Sequence, residues 1–216
     1  MRLRKKPWID KAILEFSDFV YATPENIETI VKGEWESVFT RKAPLHVELG
    51  TGKGRFITQM AERHPEINFI GIEAQQDVIY FAALKVRDLG LKNVKLLVFD
   101  INHIADIFAE GEVDRFFINF CDPWPKARHA KRRLTHVNFL EKYRSLLTAE
   151  GELFFKTDNR PLFDFSLEQF EVAKLTVKNL TFDLHNSGME DNIMTEYETK
   201  FSGLGEKINR CEVSFK

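Results

Sequence analysis

The chain has 216 residues, 31 Lys plus Arg against 33 Asp plus Glu, a formal charge of −2 and 44% apolar side chains. That balance excludes a disordered tail and a membrane-embedded chain, and it speaks against nucleic-acid binding through overall basicity while leaving a local basic patch open. No stretch reaches the roughly 18 consecutive apolar residues of a membrane helix. The basic start MRLRKKPWIDKAILEF lacks an apolar core of signal-peptide length, and Cys121 and Cys211 supply neither a disulfide framework nor a CxxC spacing. A cytoplasmic protein without a metal centre is expected.

Residues 1–43 read as a basic arm and two short helical pieces around 10–20 and 24–32, punctuated by Pro24 and Gly33, forming an extension packed on or crossing the main sheet. From 44 to 216 short apolar runs alternate with helix-compatible stretches. Strands are predicted at 45–49, 68–73, 94–99, 115–120, 151–157, 176–185 and 210–216. The helices between them are 54–63 stopped by Pro65, 75–89 stopped by Gly90, a short one at 102–109, 136–148 stopped by Gly151, 161–173 with Pro161 in its first turn, and a short one at 195–201. Such alternation is the signature of βαβ units on a mostly parallel α/β sheet, with the first five strands parallel. The long loop before the final strand permits that strand to run antiparallel.

The sharpest local signal is LHVELGTGKGRF, a buried strand followed by Gly50, Gly52 and Gly54 and then a helix. Glycines there let the backbone turn tightly and bring main-chain N–H groups close to a ligand. The pattern is GxGxG, neither the GxGxxG of dinucleotide folds nor GxxxxGK[ST], so a phosphate loop is rejected. Glu48 lies two residues before the first glycine, where a phosphate would be repelled and a cationic ligand favoured. Glu73 closes the second strand, placed to accept from ribose hydroxyls. Asp100 closes the third and suits an adenine amine, or the cap of the helix that follows. Together with Asp122 after the fourth strand, these acids describe S-adenosylmethionine better than a nicotinamide dinucleotide.

The fourth strand delivers FCDPWPKARHAKRRLT. Pro123 and Pro125 stiffen the loop, so Asp122 and Trp124 are presented rigidly, a carboxylate and an aromatic face suited to a base. Residues 126–133 carry five Lys or Arg and one His with no acid, and with Arg2, Arg4, Lys5 and Lys6 they offer phosphate contacts to a polyanion. Lys156, Asp158 and Arg160 follow the fifth strand at the same edge, and Asn159 reads as a helix cap.

Taken together, VELGTGKGRF, the strand-end Glu73, FCDPWPKARHAKRRL, FKTDN and MTEYETKFSGLGEKINR resemble the bacterial tRNA (guanine-N7-)-methyltransferase family from about residue 40 to the end, and RLRKKPW is similar to its N-terminal arm. DPWPK followed by RHxKRR is the specific part. The resemblance implies a single doubly wound, Rossmann-like class I methyltransferase sheet of seven strands with the last antiparallel. It implies S-adenosylmethionine as cofactor, tRNA as partner, and guanosine 46 of the tRNA variable loop as target; a monomer or homodimer without a metal is expected. Carried over residue by residue, the cofactor contacts fall on Glu48, Glu73, Asp100 and Asp122 around Gly50, Gly52 and Gly54, with Asp122 also the catalytic carboxylate. The substrate contacts fall on Lys126, Asp158, Thr195, Glu196, Tyr197 and Glu198, and the RNA-contact segment on Arg128, His129, Ala130, Lys131, Arg132 and Arg133. Chemically, guanine N7 carries a lone pair and no proton, so its methylation requires no base. The Asp-Pro-Trp-Pro loop also resembles loops that serve exocyclic amines, and an amino-methyltransferase of nucleic acid is the alternative reading.

Overall fold

In the computed structural model, residues 6–30 and 32–216 are described; the expectations placed on Arg2, Arg4 and Lys5 lie outside them. The chain forms two compact units, one ending at Ile107 and the other spanning Phe108–Lys216.

The first unit begins with α1 (Ile9–Ala12), which runs on as a tighter 3-10 turn over Ile13–Phe16, then β1 (Val20–Tyr21), α2 (Pro24–Ile27) and α3 (Trp35–Phe39). Next come β2 (Leu45–Leu49), α4 (Arg55–Arg63), β3 (Asn68–Glu73), α5 (Gln76–Asp88), β4 (Val94–Val98) and a 3-10 turn over Ile101–Asp106. The strands are parallel in the order β1-β4-β3-β2. β2 is buried along its length and β3 as far as Ile72, as expected of strands covered on both faces. The extension packs on α5: Ile13 and Phe16 join Ile79, Ala82 and Val86 in one core, the Lys6 amide donates to Asp77 at 3.0 Å, and Gln76 donates to Asp10 at 3.0 Å.

Two features of the extension depart from expectation. Its helical pieces are shorter than expected: α1 and its 3-10 continuation end at Phe16, and α2, started afresh by a reciprocal Thr23–Asn26 capping box, is a single turn. Between them, Val20 and Tyr21 pair with Leu96 and Leu97 of β4. Eight strands therefore stand among the described residues in place of the seven expected. Two residues are too few to show a period of two, so only the exposed edge of β4 makes them a strand. α3 also carries no sequence signal of its own, and is held by Trp35, 2% exposed, whose indole donates to the Ile107 carbonyl at 2.9 Å.

The second unit contains β5 (Val113–Asn119), a 3-10 turn over Ala127–Arg132, α6 (Val137–Leu146), β6 (Leu147–Thr157), α7 (Arg160–Val172), β7 (Thr176–Thr181), α8 (Glu196–Ser202) and β8 (Asn209–Ser214). β6 runs parallel to β5, and β8 lies between β6 and β7, antiparallel to both. The final antiparallel strand is as expected. Gly151 was expected to stop the preceding helix; instead α6 ends at Leu146 and Gly151 sits inside β6, where a Cβ would meet the Leu147 side chain at 2.8 Å. β7 stops four residues early, because Asn179 takes a left-handed φ of 48° and shifts the register against β8.

Candidate active site

In the first unit the glycine loop joins β2 to α4. The Gly50 and Thr51 amides donate to the Ile72 carbonyl, both at 2.9 Å, which folds the loop back over the end of β3. All three loop glycines have positive φ, 83°, 56° and 81°, so any side chain there would strain the backbone. Their surroundings divide them. A Cβ on Gly54 would lie 2.5 Å from Ala82 Cβ, so Gly54 exists to let α5 approach α4, whereas Gly50 and Gly52 face open space where a ligand can lie against the backbone. Gly71 on β3 is a fourth required glycine that the sequence did not mark: a Cβ there would crowd Leu96, Thr51 and Ile57 at 2.9 to 3.1 Å.

The acids of this unit are built into the loop. Glu48, 2% exposed, accepts from the Thr51 hydroxyl at 2.6 Å. Glu73 accepts from the Gly52 amide at 3.3 Å and the Gln75 amide at 3.0 Å, which fixes its carboxylate beside the loop. Asp100 is exposed and uses one oxygen, Oδ1, to cap the following 3-10 turn through the Asn102 amide at 2.9 Å. Its capping role is thus realised, and Oδ2 has no partner among the described residues. Backbone N–H groups with two placed carboxylates suit a diol and a cation and oppose a phosphate. Those donors and acceptors fit the sulfonium nucleoside expected from the sequence.

In the second unit β5 runs into the loop 120–126. Phe120 and Trp124, on either side of Asp122, have left-handed φ of 54° and 43°, a conformation that costs bulky residues about 1–3 kcal/mol each. The described peptide bonds are all trans, so the two prolines stiffen the loop without cis geometry. Asp122 is exposed at the loop's tip. Trp124 meets the His129 ring edge-on at 5.7 Å and carries the Arg132 guanidinium 5.0 Å above it. Arg133 donates to the Pro123 and Trp124 carbonyls, each at 3.1 Å, and lies 4.2 Å over the Phe165 ring. Arg128, Lys131 and Arg132 are exposed, as are Lys126 and Ala127, while His129 and Ala130 are half-buried. His136 caps α6 through the Asn138 amide at 3.2 Å, and burial, then the charges of Lys131 and Arg133, hold its pKa below the ordinary value. Burial, reinforced by the Asp122 carboxylate, pushes the Cys121 thiol up to about 12, so it stays neutral and is no nucleophile.

A second cluster stands where β6 meets α8. Lys156, 4% exposed, donates from Nζ to Glu198 Oε2 at 2.7 Å, the Ile193 carbonyl at 2.7 Å and Asn192 at 3.0 Å. Glu198, fully buried, accepts on its other oxygen from Asn192 at 2.6 Å and His185 Nε2 at 2.8 Å. Burial pushes the Glu198 carboxyl up, but the Lys156 ammonium and the two other donors, His185 and Asn192, more than offset this and hold it below its ordinary value. One helical position earlier, Tyr197 is 42% exposed, stacks on Phe201 at 4.1 Å, lies 5.1 Å from the Phe120 ring and donates to Asp158 at 3.1 Å. Burial, then Asp158, pushes its phenol up to about 12. Thr195 caps α8 by accepting from the Glu198 amide at 3.0 Å.

The structure thus brings Asp158, Tyr197 and Phe120 together, and holds Asp122 in the loop that follows Phe120. It does not present Glu198 or Thr195 for contact: both are spent inside the fold, Glu198 as a buried anion and Thr195 as a helix cap. Phe120, His185, Asn192 and Phe201 were missed by the sequence reading. The Tyr197–Phe201 spacing of four on a helix is a signal that could have found one of them. Among the described residues no group of His, Cys, Asp or Glu could hold a metal, and no helix is long and apolar enough to cross a membrane.

Comparison with known proteins agrees with this chemistry. Residues 42–211 match the family model described as putative methyltransferase. The chain is 50% identical over 216 residues to a tRNA (guanine-N(7)-)-methyltransferase of Halalkalibacterium halodurans, covering all of this chain and 96% of that one. It is 49% identical to the Bacillus subtilis protein of the same name, with both chains fully covered. Among solved structures, a SAM dependent methyltransferase from Aquifex aeolicus is similar in fold, with a TM-score of 0.55 at 17% identity over 97% of this chain and 98% of that one.

Proposed function

The chain belongs to the tRNA (guanine-N(7)-)-methyltransferase family, and from that premise we propose that it methylates N7 of guanosine 46 in the tRNA variable loop, with S-adenosylmethionine as donor. The observation that carries the choice of donor is the glycine loop flanked by Glu48 and Glu73, whose carboxylates oppose a phosphate and welcome a cation. S-adenosylmethionine supplies an electrophilic methyl group when bound. Gly50 and Gly52 leave room for it against the backbone, Glu73 accepts from the ribose, Asp100 offers Oδ2 to the adenine amine, and Glu48 orders Thr51 and the loop. Gly54 acts one step back, through helix packing. Residues 44–216 are the methyltransferase domain and residues 1–43 an arm that adds phosphate contacts, in a cytoplasmic enzyme of one or two copies.

On the substrate side, N7 needs no deprotonation, so the residues of the second unit orient the ring and stabilise the positive charge it acquires. Asp122 does the second, accepting from guanine while that charge develops. Phe120 and Tyr197 offer aromatic faces for stacking, and Asp158 and Glu196 supply further carboxylate. Thr195 and Glu198 act through the placement of Tyr197. Exposed Lys126, Arg128, Lys131 and Arg132 meet phosphates, with His129 and Ala130 completing their turn. An exocyclic amine would require a proton acceptor after transfer, and membership of the guanine-N7 family favours the ring nitrogen over it.

Asp122→Ala is the test. It should retain cofactor binding by calorimetry while tritiated-methyl transfer to bulk tRNA falls by at least about 100-fold, and nucleoside mass spectrometry of the parent's product should show 7-methylguanosine. Unchanged transfer by the variant overturns the role of Asp122. A different methylated nucleoside overturns the reaction.

A further inference from the structure

We infer that Arg133 is a positioning residue for the catalytic loop, so that the basic run 126–133 divides into cations that meet phosphate and one that holds Asp122's loop in shape. The inference rests on the proposed role of Asp122.

The geometry separates Arg133 from its neighbours. Arg128, Lys131 and Arg132 are exposed, whereas Arg133 is half-buried. Its guanidinium makes two directed hydrogen bonds, Nε to the Pro123 carbonyl and Nη2 to the Trp124 carbonyl, both 3.1 Å. Its other face lies 4.2 Å over Phe165 of α7, which anchors it to the body of the unit. The loop needs such a clamp for a reason already in its sequence. Pro123 and Pro125 have no N–H, so the segment has two fewer amides with which to cross-link itself. Trp124 is held at φ 43° against its steric preference. A planar fork with two parallel donors satisfies two successive carbonyls at once, and a lysine ammonium, a point donor on a flexible stem, does not.

The clamp also ties RNA contact to loop geometry. Arg133 is the C-cap of the 3-10 turn Ala127–Arg132 that carries Arg128 and Lys131, and its amide closes that turn on the Ala130 carbonyl at 3.0 Å. The exposed cations of the turn and the residue that holds Pro123 and Trp124 thus belong to one short element.

Steady-state kinetics with tRNA separates the two roles. For Arg133→Lys, which keeps the charge, kcat should fall about 10- to 100-fold while the tRNA KM stays within about twofold and its salt dependence is unchanged. Lys131→Ala should instead raise the tRNA KM and reduce the salt slope by about 1. Methylguanidinium added to Arg133→Ala should restore part of kcat, and methylammonium should not, an outcome that a merely misfolded variant cannot give. Parental kcat in Arg133→Lys, or a KM and salt-slope effect in place of the kcat effect, overturns the inference. Asp122→Ala measured alongside keeps the two ideas apart. If it turns over fully, the role of Asp122 fails and this inference with it; if it is inactive while Arg133→Lys is at parental kcat, this inference alone fails.

Discussion

Replacing Lys156 by Met removes the cation from a cluster in which the partner anion is fully buried. The Glu198 carboxylate would keep Asn192 and His185 as donors but lose the 2.7 Å ammonium contact, and the Ile193 carbonyl would lose its 2.7 Å donor. Breaking a buried pair in this way costs about 3–5 kcal/mol, and at roughly 2–4 °C per kcal/mol for a chain of this size the melting temperature should drop by about 6–20 °C. Glu198→Gln should be milder, because its amide oxygen still accepts from Lys156. The double variant should then show a coupling of about 1–3 kcal/mol in a urea-denaturation cycle. The pH dependence follows from the direction of the shift. The folded Glu198 pKa lies below its ordinary value of 4.5, so its contribution is fully present above that value and is lost as pH falls through the lower, folded one. The stability gap between parent and Lys156→Met should accordingly close on acidification. Additivity within about 0.5 kcal/mol, or a gap that widens below pH 4.5, refutes the reasoning.

Other outcomes follow from the same contacts. Gly54→Ala should lower the melting temperature more than Gly52→Ala, because its Cβ would overlap Ala82 while that of Gly52 enters open space; calorimetry should show that Gly52→Ala acts chiefly on cofactor affinity. Tyr197→Phe removes the hydrogen bond to Asp158, worth about 0.5–1.5 kcal/mol, and should lower kcat/KM a few-fold. Since the Tyr197 phenol is pushed up to about 12, that ratio should be flat from pH 7 to 10, and a rise in the variant's relative activity across that range would contradict it. Arg128→Ala with Lys131→Ala should reduce the slope of log affinity for tRNA against log salt by about 1.5 in filter binding, and an unchanged slope would leave these side chains as ordinary solvated charges.

Much of the site is legible in the sequence. A glycine loop between a buried strand and a helix needs only local backbone chemistry to be read, and the acids at the strand ends follow from where strands stop. The strands 45–49 and 68–73 coincide with β2 and β3 because segments of five and six residues built around Leu, Val, Phe and Ile are too short for a helix and admit few other readings. Asn159 caps α7 through the Leu162 amide at 2.8 Å, as its place before Arg160-Pro161 suggests. What failed were features without a local cause: the two-residue β1, α3 under Trp35, and the shortened β7 with its left-handed Asn179.

Sequence by itself determined which charges exist and in what order: acids at strand ends, bases in one run, a net charge near zero that sums opposed sites. Only the tertiary structure decided which of those charges face outward. Glu198 and Tyr197 are adjacent, yet one is sealed against Lys156 and the other exposed beside Asp158. Arg132 and Arg133 are adjacent too, and one stacks on Trp124 in solvent while the other turns in to bind loop carbonyls. The physical reason is that burial and hydrogen-bond partners come from segments distant in the chain, β6 against α8 and α7 against the proline loop, and those partners convert a charge from a contact into a fixed part of the frame.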